Sequence, residues 1–228
     1  RSFTAAFGEA LCDVMERDGT VTACSAAMAD GTGVQKAIEQ YPDRTWDTGI
    51  CESHAADMML GMAKTGLRPF FAVYATFLQR AFDQCFQEAS LQGLPLRLCL
   101  DRAGLVGGDG AVHHGFCDIS ILRTLPGAVL MAAIDEQSLR GSLEFMRTYD
   151  EGLTAVRYPR DDVNDIKRLP AKKIFERSDD VIKDHGFPPK HSLRPAIHLL
   201  SKPAARCCRR APPPTITIIL SLSPPSVR

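Results

Sequence analysis

Net charge is the first thing this sequence lacks: 27 Lys and Arg are matched by 27 Asp and Glu over 228 residues. No membrane partner is expected, and the basic stretch toward the carboxyl end, which could meet nucleic acid or an acidic partner, lacks the aromatic interleaving or known module that would point to nucleic acid. Long apolar runs are missing as well. No stretch approaches the roughly 20 apolar residues that cross a bilayer. The first residues, RSFTAAFGEALCDVMERDG, set acids inside a helical pattern instead of a charged-then-apolar leader, and the expectation is a soluble, cytoplasmic protein. The cysteines lack metal-ligand spacing. Cys12, Cys24, Cys51, Cys85, Cys99 and Cys117 stand singly among apolar neighbours, which reads as reduced core thiols and no metal site. Cys207 and Cys208 are adjacent, in a different setting.

The overall balance hides a division. Residues 1–163 hold 14 Lys and Arg against 22 Asp and Glu, whereas residues 164–228 hold 13 against 5. Ten of the fifteen prolines fall in the second part, which includes KPAARCCRRAPPPTITIILSLSPPSVR and sustains no helical or alternating period. The expectation is a domain over 1–163 followed by a basic, proline-rich, disordered tail over 164–228. Within that tail TITIILSLS has strand chemistry.

The first part, with 45% hydrophobic residues in the chain as a whole, has enough apolar material for a core. Short β-rich runs appear at TVTACSAAM, RTWDTGI, RPFFAVY, PLRLCLD, GAVLMAA and LTAVRY. Helical periods fall at residues 3–16, 33–40, 52–65, 76–92 and 135–149. Strands alternating with crossover helices predict a doubly wound α/β domain with a mostly parallel sheet. Ligands of such sheets sit at the carboxyl ends of the strands. The polar and glycine-rich segments ADGTG, GICESHA, YATFLQR, DRAGLVGGDGAVHHG and RYPR all fall at those ends.

Glu52 opens the helix after the second strand, where free backbone N–H groups favour a carboxylate by about 0.3–1 kcal/mol. That alone accounts for a solvated acid. Its neighbours Ile50, Cys51, Ala55 and Ala56 predict instead a partly buried one, which must find a hydrogen-bond partner or take a proton. His54, close behind it, reads as a tie for the helix head.

GICESHA, YATFLQRAFDQ, DRAGLVGGDGAVHHG and RYPR, in this order and spacing, resemble the pyrimidine-binding domain of the 1-deoxy-D-xylulose-5-phosphate synthase family, thiamine-diphosphate enzymes of the transketolase superfamily. The resemblance covers residues 1 to about 160. It implies that Glu52 bonds the aminopyrimidine ring nitrogen of thiamine diphosphate and promotes loss of the thiazolium proton. It further implies that Phe77 stacks on the aminopyrimidine, with Tyr74 and Arg80 shaping the pocket. Taken alone, Phe77 suits an ordinary α/β core equally well. Family chemistry joins pyruvate, after decarboxylation, to glyceraldehyde 3-phosphate. By the same resemblance Arg102 and Arg160 clamp the aldehyde's phosphate, a task that suits the planar guanidinium fork. Asp109 and His113 contact the aldehyde, with His113 as proton donor or oxyanion stabiliser and His114 a neighbour that could share the role. Taken singly, either histidine is more often a hydrogen-bonded loop residue than a catalyst.

The family holds magnesium and diphosphate through a Gly-Asp-Gly segment and a later asparagine in a separate amino-terminal domain. Gly108, Asp109 and Gly110 resemble the start of that signature, but the single asparagine, Asn164, lies too far along, and residues 136–141 read EQSLRG. The resemblance therefore implies a chain that supplies the aminopyrimidine side of a site and needs a diphosphate-binding domain or subunit to bring Mg2+, with a homodimer as the expected assembly. A transketolase, a 2-oxoacid dehydrogenase β subunit and a non-catalytic assembly module of this fold are the competing readings.

Overall fold

The computed structural model describes residues 1–163 and 218–220. Helix α1 (Phe3–Arg17) is capped by the Ser2 hydroxyl, which accepts from the Ala5 N–H at 3.2 Å. Strand β1 (Val21–Ser25) follows, then two short helices, α2 (Ala29–Thr32) and α3 (Gln35–Gln40), and strand β2 (Thr45–Asp47). Helix α4 (Glu52–Lys64) leads to β3 (Arg68–Tyr74), and a mixed helical segment leads to β4 (Arg97–Asp101). Helix α6 (Asp118–Leu122), β5 (Val129–Ala132), α7 (Glu136–Thr148) and β6 (Thr154–Arg157) complete the domain. A capping box opens α7: Asp135 Oδ1 accepts from the Ser138 N–H at 2.8 Å and Ser138 Oγ from the Asp135 N–H at 3.1 Å.

All strand pairings are parallel, in the order β2-β1-β3-β4-β6-β5, and a short strand β7 (Ile218–Leu220) pairs in parallel with β5 at the edge. The doubly wound expectation and its six strands hold. The expected disorder of residues 164–228 concerns residues outside those described, except for these three, which lie in a strand. Strands β1 and β4 are buried along their whole length, the mark of a sheet covered on both faces. Phe71 and Val73 point into a cluster with Ala55, Ala56, Met59 and Leu60 of α4, so Phe70 and Ala72, alternating with them, face the other layer. In that layer α1 packs on α3 and α7.

One helical expectation needs correction. Residues 76–92 do not form one α-helix but a 3-10 segment (Phe77–Ala81), a single α turn, α5 (Phe82–Gln84), and a π segment (Cys85–Ser90). The buried side chains Leu78, Ala81, Cys85 and Ala89 are spaced three, then four, then four, and the winding changes to keep all of them on the core. The helix expected over 33–40 is present as α3 and starts at Gln35, just after Gly33, whose φ of +81° ends α2. A Cβ there would meet the Thr4 carbonyl oxygen at 2.4 Å, so only glycine lets α1 approach this closely.

Away from the carboxyl ends of the strands, Asp18 gathers Arg68 at 2.7 Å, Arg147 at 3.1 Å, and the Thr20 N–H and hydroxyl at 3.0 and 2.6 Å. Burial pushes its carboxyl up, but the Thr20 and arginine hydrogen bonds together hold it well below the usual carboxylate range. A depressed folded value stabilises the fold above the unfolded pKa of about 3.9, and that stability is lost as the pH falls further. The melting temperature is therefore expected to drop below about pH 4, and Asp18→Asn to flatten that limb. An identical acid limb in the mutant would assign it to other groups.

Candidate functional site

The chain leaves β1 for β2 on one side and then crosses to β3 on the other, so the carboxyl ends of β1, β3 and β4 frame a switch-point crevice. Every sequence-predicted site residue is placed at this end, in one connected set of contacts.

Glu52 is the first residue of α4 and only 2% exposed. It is ion-paired with Arg80, whose own side chain is 51% exposed. The buried acid thus has a partner within the chain, and that partner is half in water. The Arg80 guanidinium lies 4.6 Å from the Phe77 ring centre, a cation–π contact that places an aromatic face beside the Glu52 ion pair.

Phe77 in turn stacks with Tyr74 at 6.0 Å, and His113 stands edge-on to both, at 5.7 Å from Phe77 and 5.9 Å from Tyr74. His113 Nδ1 is 2.7 Å from the Asp109 carbonyl oxygen. A carbonyl can only accept, so Nδ1 carries the hydrogen and Nε2 of the neutral ring is left as an acceptor. His114 is the opposite case: its Nδ1 accepts from the Val106 N–H at 3.1 Å, which ties down the loop. The two adjacent histidines therefore separate into an aromatic-pocket residue and a loop brace. His54 is exposed.

Arg102 directly follows β4, with its guanidinium 4.1 Å from the Tyr74 ring centre. Asp109 Oδ2 lies 3.2 Å from Arg102 Nε and 2.6 Å from Arg160 Nε. The two predicted phosphate ligands thus converge on one point, and a carboxylate of the same chain occupies it. The family resemblance implies a contact from Asp109 to the aldehyde; in the fold its carboxylate bridges both arginines. Burial raises the Tyr74 hydroxyl above the usual tyrosine range while Arg102 pulls it down. Gly31 makes room for this group, since a Cβ there would fall 2.1 Å from the Tyr74 hydroxyl oxygen.

Sequence reasoning gives no role to three members of the site, although Asp101 and Gly31 fall in segments it places at the strand ends. Asp101 is completely buried at the end of β4, and Thr4 Oγ1 donates to its Oδ2 at 2.8 Å. The Gly31 carbonyl accepts from Arg102. A charged residue ending a buried strand is a signal for Asp101; nothing local marks Thr4, 97 residues away. Among the described residues no cluster of three or more His, Cys, Asp or Glu could hold a metal ion.

The family model described as the transketolase pyrimidine binding domain matches residues 1–165. The chain is 48% identical over 174 residues to the 1-deoxy-D-xylulose-5-phosphate synthase of Anaeromyxobacter dehalogenans (strain 2CP-C), covering 76% of this chain and 27% of that protein. It is 48% identical over 160 residues to the synthase of Helicobacter hepaticus, covering 70% and 25%. The chain spans about a quarter of the length of these curated relatives. Among solved structures, a transketolase from Campylobacter jejuni superposes with a TM-score of 0.68 at 16% identity, over 76% of this chain and 28% of that one. A structure titled "Split gene transketolase, inactive beta4 tetramer" gives 0.63 at 22% identity, over 77% and 54%. With the family model covering most of its length, the chain belongs to the transketolase pyrimidine-binding domain family.

Proposed function

We propose that this domain is the aminopyrimidine-binding part of a thiamine-diphosphate-dependent 1-deoxy-D-xylulose-5-phosphate synthase, which joins pyruvate and glyceraldehyde 3-phosphate with loss of CO2. The observation that carries the reading is Glu52: a carboxylate 2% exposed at a helix start, beside an aromatic face and held by a half-exposed arginine that can turn to water. A flat heteroaromatic with a ring nitrogen fits that arrangement, since it offers a hydrogen bond to the acid and a surface for Phe77. Thiamine diphosphate supplies, when bound, the electron sink that decarboxylation of a 2-oxo acid needs. Glu52 holds or releases a proton at the ring nitrogen, and Phe77, Tyr74 and Arg80 orient the ring. His113, with Nε2 free as an acceptor, moves a proton at the acceptor aldehyde's oxygen. Arg102 and Arg160 receive the phosphate, which has to displace the Asp109 carboxylate from between them.

We assign Mg2+ and the diphosphate group to a second domain or subunit. Ile50, Leu105, Val112 and Phe116 support a covering partner: all are exposed apolar side chains on the segments that carry the site. A chain of similar fold is titled a split-gene transketolase in an inactive β4 tetramer, which suits the reading of this domain as one part of a divided enzyme. A homodimer and a cytoplasmic location complete the reading. The six described cysteines are all free, in keeping with a reducing compartment, and no helix of the described residues is long and apolar enough to cross a membrane.

The test is reconstitution with a diphosphate-binding domain and assay with pyruvate plus glyceraldehyde 3-phosphate. Product should form, and Arg102→Ala or Arg160→Ala should raise KM for the aldehyde far more than for pyruvate, since only the aldehyde carries a phosphate. Loss of one charge-assisted contact is worth about 1.5–3 kcal/mol, roughly a tenfold to hundredfold drop in kcat/KM. Equal losses toward both substrates would make these arginines part of the scaffold, and failure to form product would reject the synthase reading.

A further inference from the structure

We propose that Asp101, together with Thr4, is the positioning residue that sets Arg102 in the pose in which it meets an anion; the proposal rests on the reading of Arg102 as a phosphate ligand. Arg102 has φ of +59°, in the left-handed region that residues with a side chain seldom enter. Such a residue persists where its surroundings over-determine it. Asp101 supplies much of that determination. Its Oδ1 accepts from the Arg102 backbone N–H at 2.6 Å, and its Oδ2 lies 3.1 Å from the Arg102 guanidinium. Thr4 Oγ1 donates to that same Oδ2 and accepts from the Arg102 guanidinium at 3.3 Å. The backbone on either side is pinned too, because the Asp101 carbonyl accepts from the Ala75 N–H at 2.8 Å and the Ala103 N–H donates to the Tyr158 carbonyl at 3.0 Å. One carboxylate thus fixes both the main chain and the side chain of Arg102, and leaves the guanidinium edge bearing Nε directed at Asp109 and Arg160.

Asp101 is fully buried and acts through Arg102. Burial pushes its carboxyl up to about 6, although Arg102, Thr4 and the backbone N–H all pull the other way. A carboxyl raised above its unfolded value contributes stability only while protonated, and that contribution is lost as the pH rises through about 6. At neutral pH the charged acid therefore no longer supplies the stability of its protonated form, and it stands at a place where it holds one arginine.

The proposal separates a functional from a structural role by opposite signs. In the full chain at pH 7.5, Asp101→Asn keeps the shape and an acceptor for the backbone N–H but removes the negative partner of the guanidinium. Thr4→Val changes no charge. Both should melt at or near the temperature of the unmodified chain, with Asp101→Asn equal or higher. Both should lose the sharp, slowly exchanging Arg102 Nε–H signal in 15N NMR spectra. Sulfate, a dianion at this pH, serves as the anion probe, and its binding should weaken about tenfold or more in Asp101→Asn. Coulomb's law alone predicts tighter sulfate binding once the negative charge is gone, so equal or tighter binding overturns the proposal. A persisting Arg102 signal in both variants also overturns it. Arg102→Ala distinguishes this from failure of the underlying reading: if sulfate binding is absent, or is unchanged by Arg102→Ala, the phosphate assignment itself falls.

Discussion

Glutamine in place of Glu52 is expected to cut turnover about 10²- to 10⁴-fold in a synthase assembled around this domain, with the melting temperature nearly unchanged. The two side chains have the same shape, and a glutamine oxygen can still accept from Arg80. What is lost is the ability to exchange a proton with a bound ring nitrogen. The fold should tolerate the change because the partner left behind is the half-exposed Arg80, whose charge water can solvate, so no buried ion is orphaned. Steady-state kinetics of the reconstituted enzyme and a thermal melt of the chain check both halves. Near-normal turnover would remove Glu52 from the chemistry, and a collapse in melting temperature would make it a structural acid.

The largest stability effect is expected far from the site, at Arg97. This side chain is completely buried at the start of β4 and donates to the Met146 carbonyl at 2.5 Å, the Pro95 carbonyl at 3.0 Å and the Tyr149 carbonyl at 3.1 Å, and to Asp150 Oδ1 at 2.5 Å. Two of those carbonyls belong to the end of α7, where no further turn of helix would satisfy them. Arg97→Ala removes their guanidinium donor and opens a cavity, while Asp150, half exposed, keeps its ion pair with Arg68 at 3.2 Å. We expect a loss of about 3–5 kcal/mol, set by unsatisfied carbonyls at about 1–3 kcal/mol each plus the void. Arg97→Met, which fills the space but donates nothing, should recover only the cavity part. Urea denaturation of both variants measures the difference; a loss below about 1 kcal/mol in Arg97→Ala would show that water replaces the guanidinium.

Arg97 also marks a limit of reading from sequence. In PLRLCLD it looks like the polar residue of a strand, and nothing nearby tells that α7, some 50 residues later, ends above it. Arg44 is similar: it donates to the carbonyls of Met15, Asp18 and Val21, closing the end of α1 from the far side of β1. Arginines that cap another element's end carry no local period. The one-helix expectation over 76–92 fails for a related reason, since apolar spacing of three and four residues suits an α-helix, a 3-10 turn and a π turn in succession. Helix α6 escapes notice because five residues give too short a period to stand out.

Local chemistry is enough for much of the rest. Runs of β-branched and apolar residues, separated by helical periods, are the direct consequence of a parallel sheet buried on both faces, so six strands and the long helices α1, α4 and α7 are legible in the amino-acid order alone. The clustering of site residues is legible too, because a parallel sheet brings the carboxyl ends of its strands together whatever else the chain does. The partners of those residues are not. That Glu52 is met by Arg80, that Asp109 stands between Arg102 and Arg160, and that Thr4 reaches Asp101 depend on which strands are neighbours and how closely α1 can approach β4. Side-chain hydrogen bonds act over about 3 Å, and only packing brings residues 28 to 97 positions apart within that range.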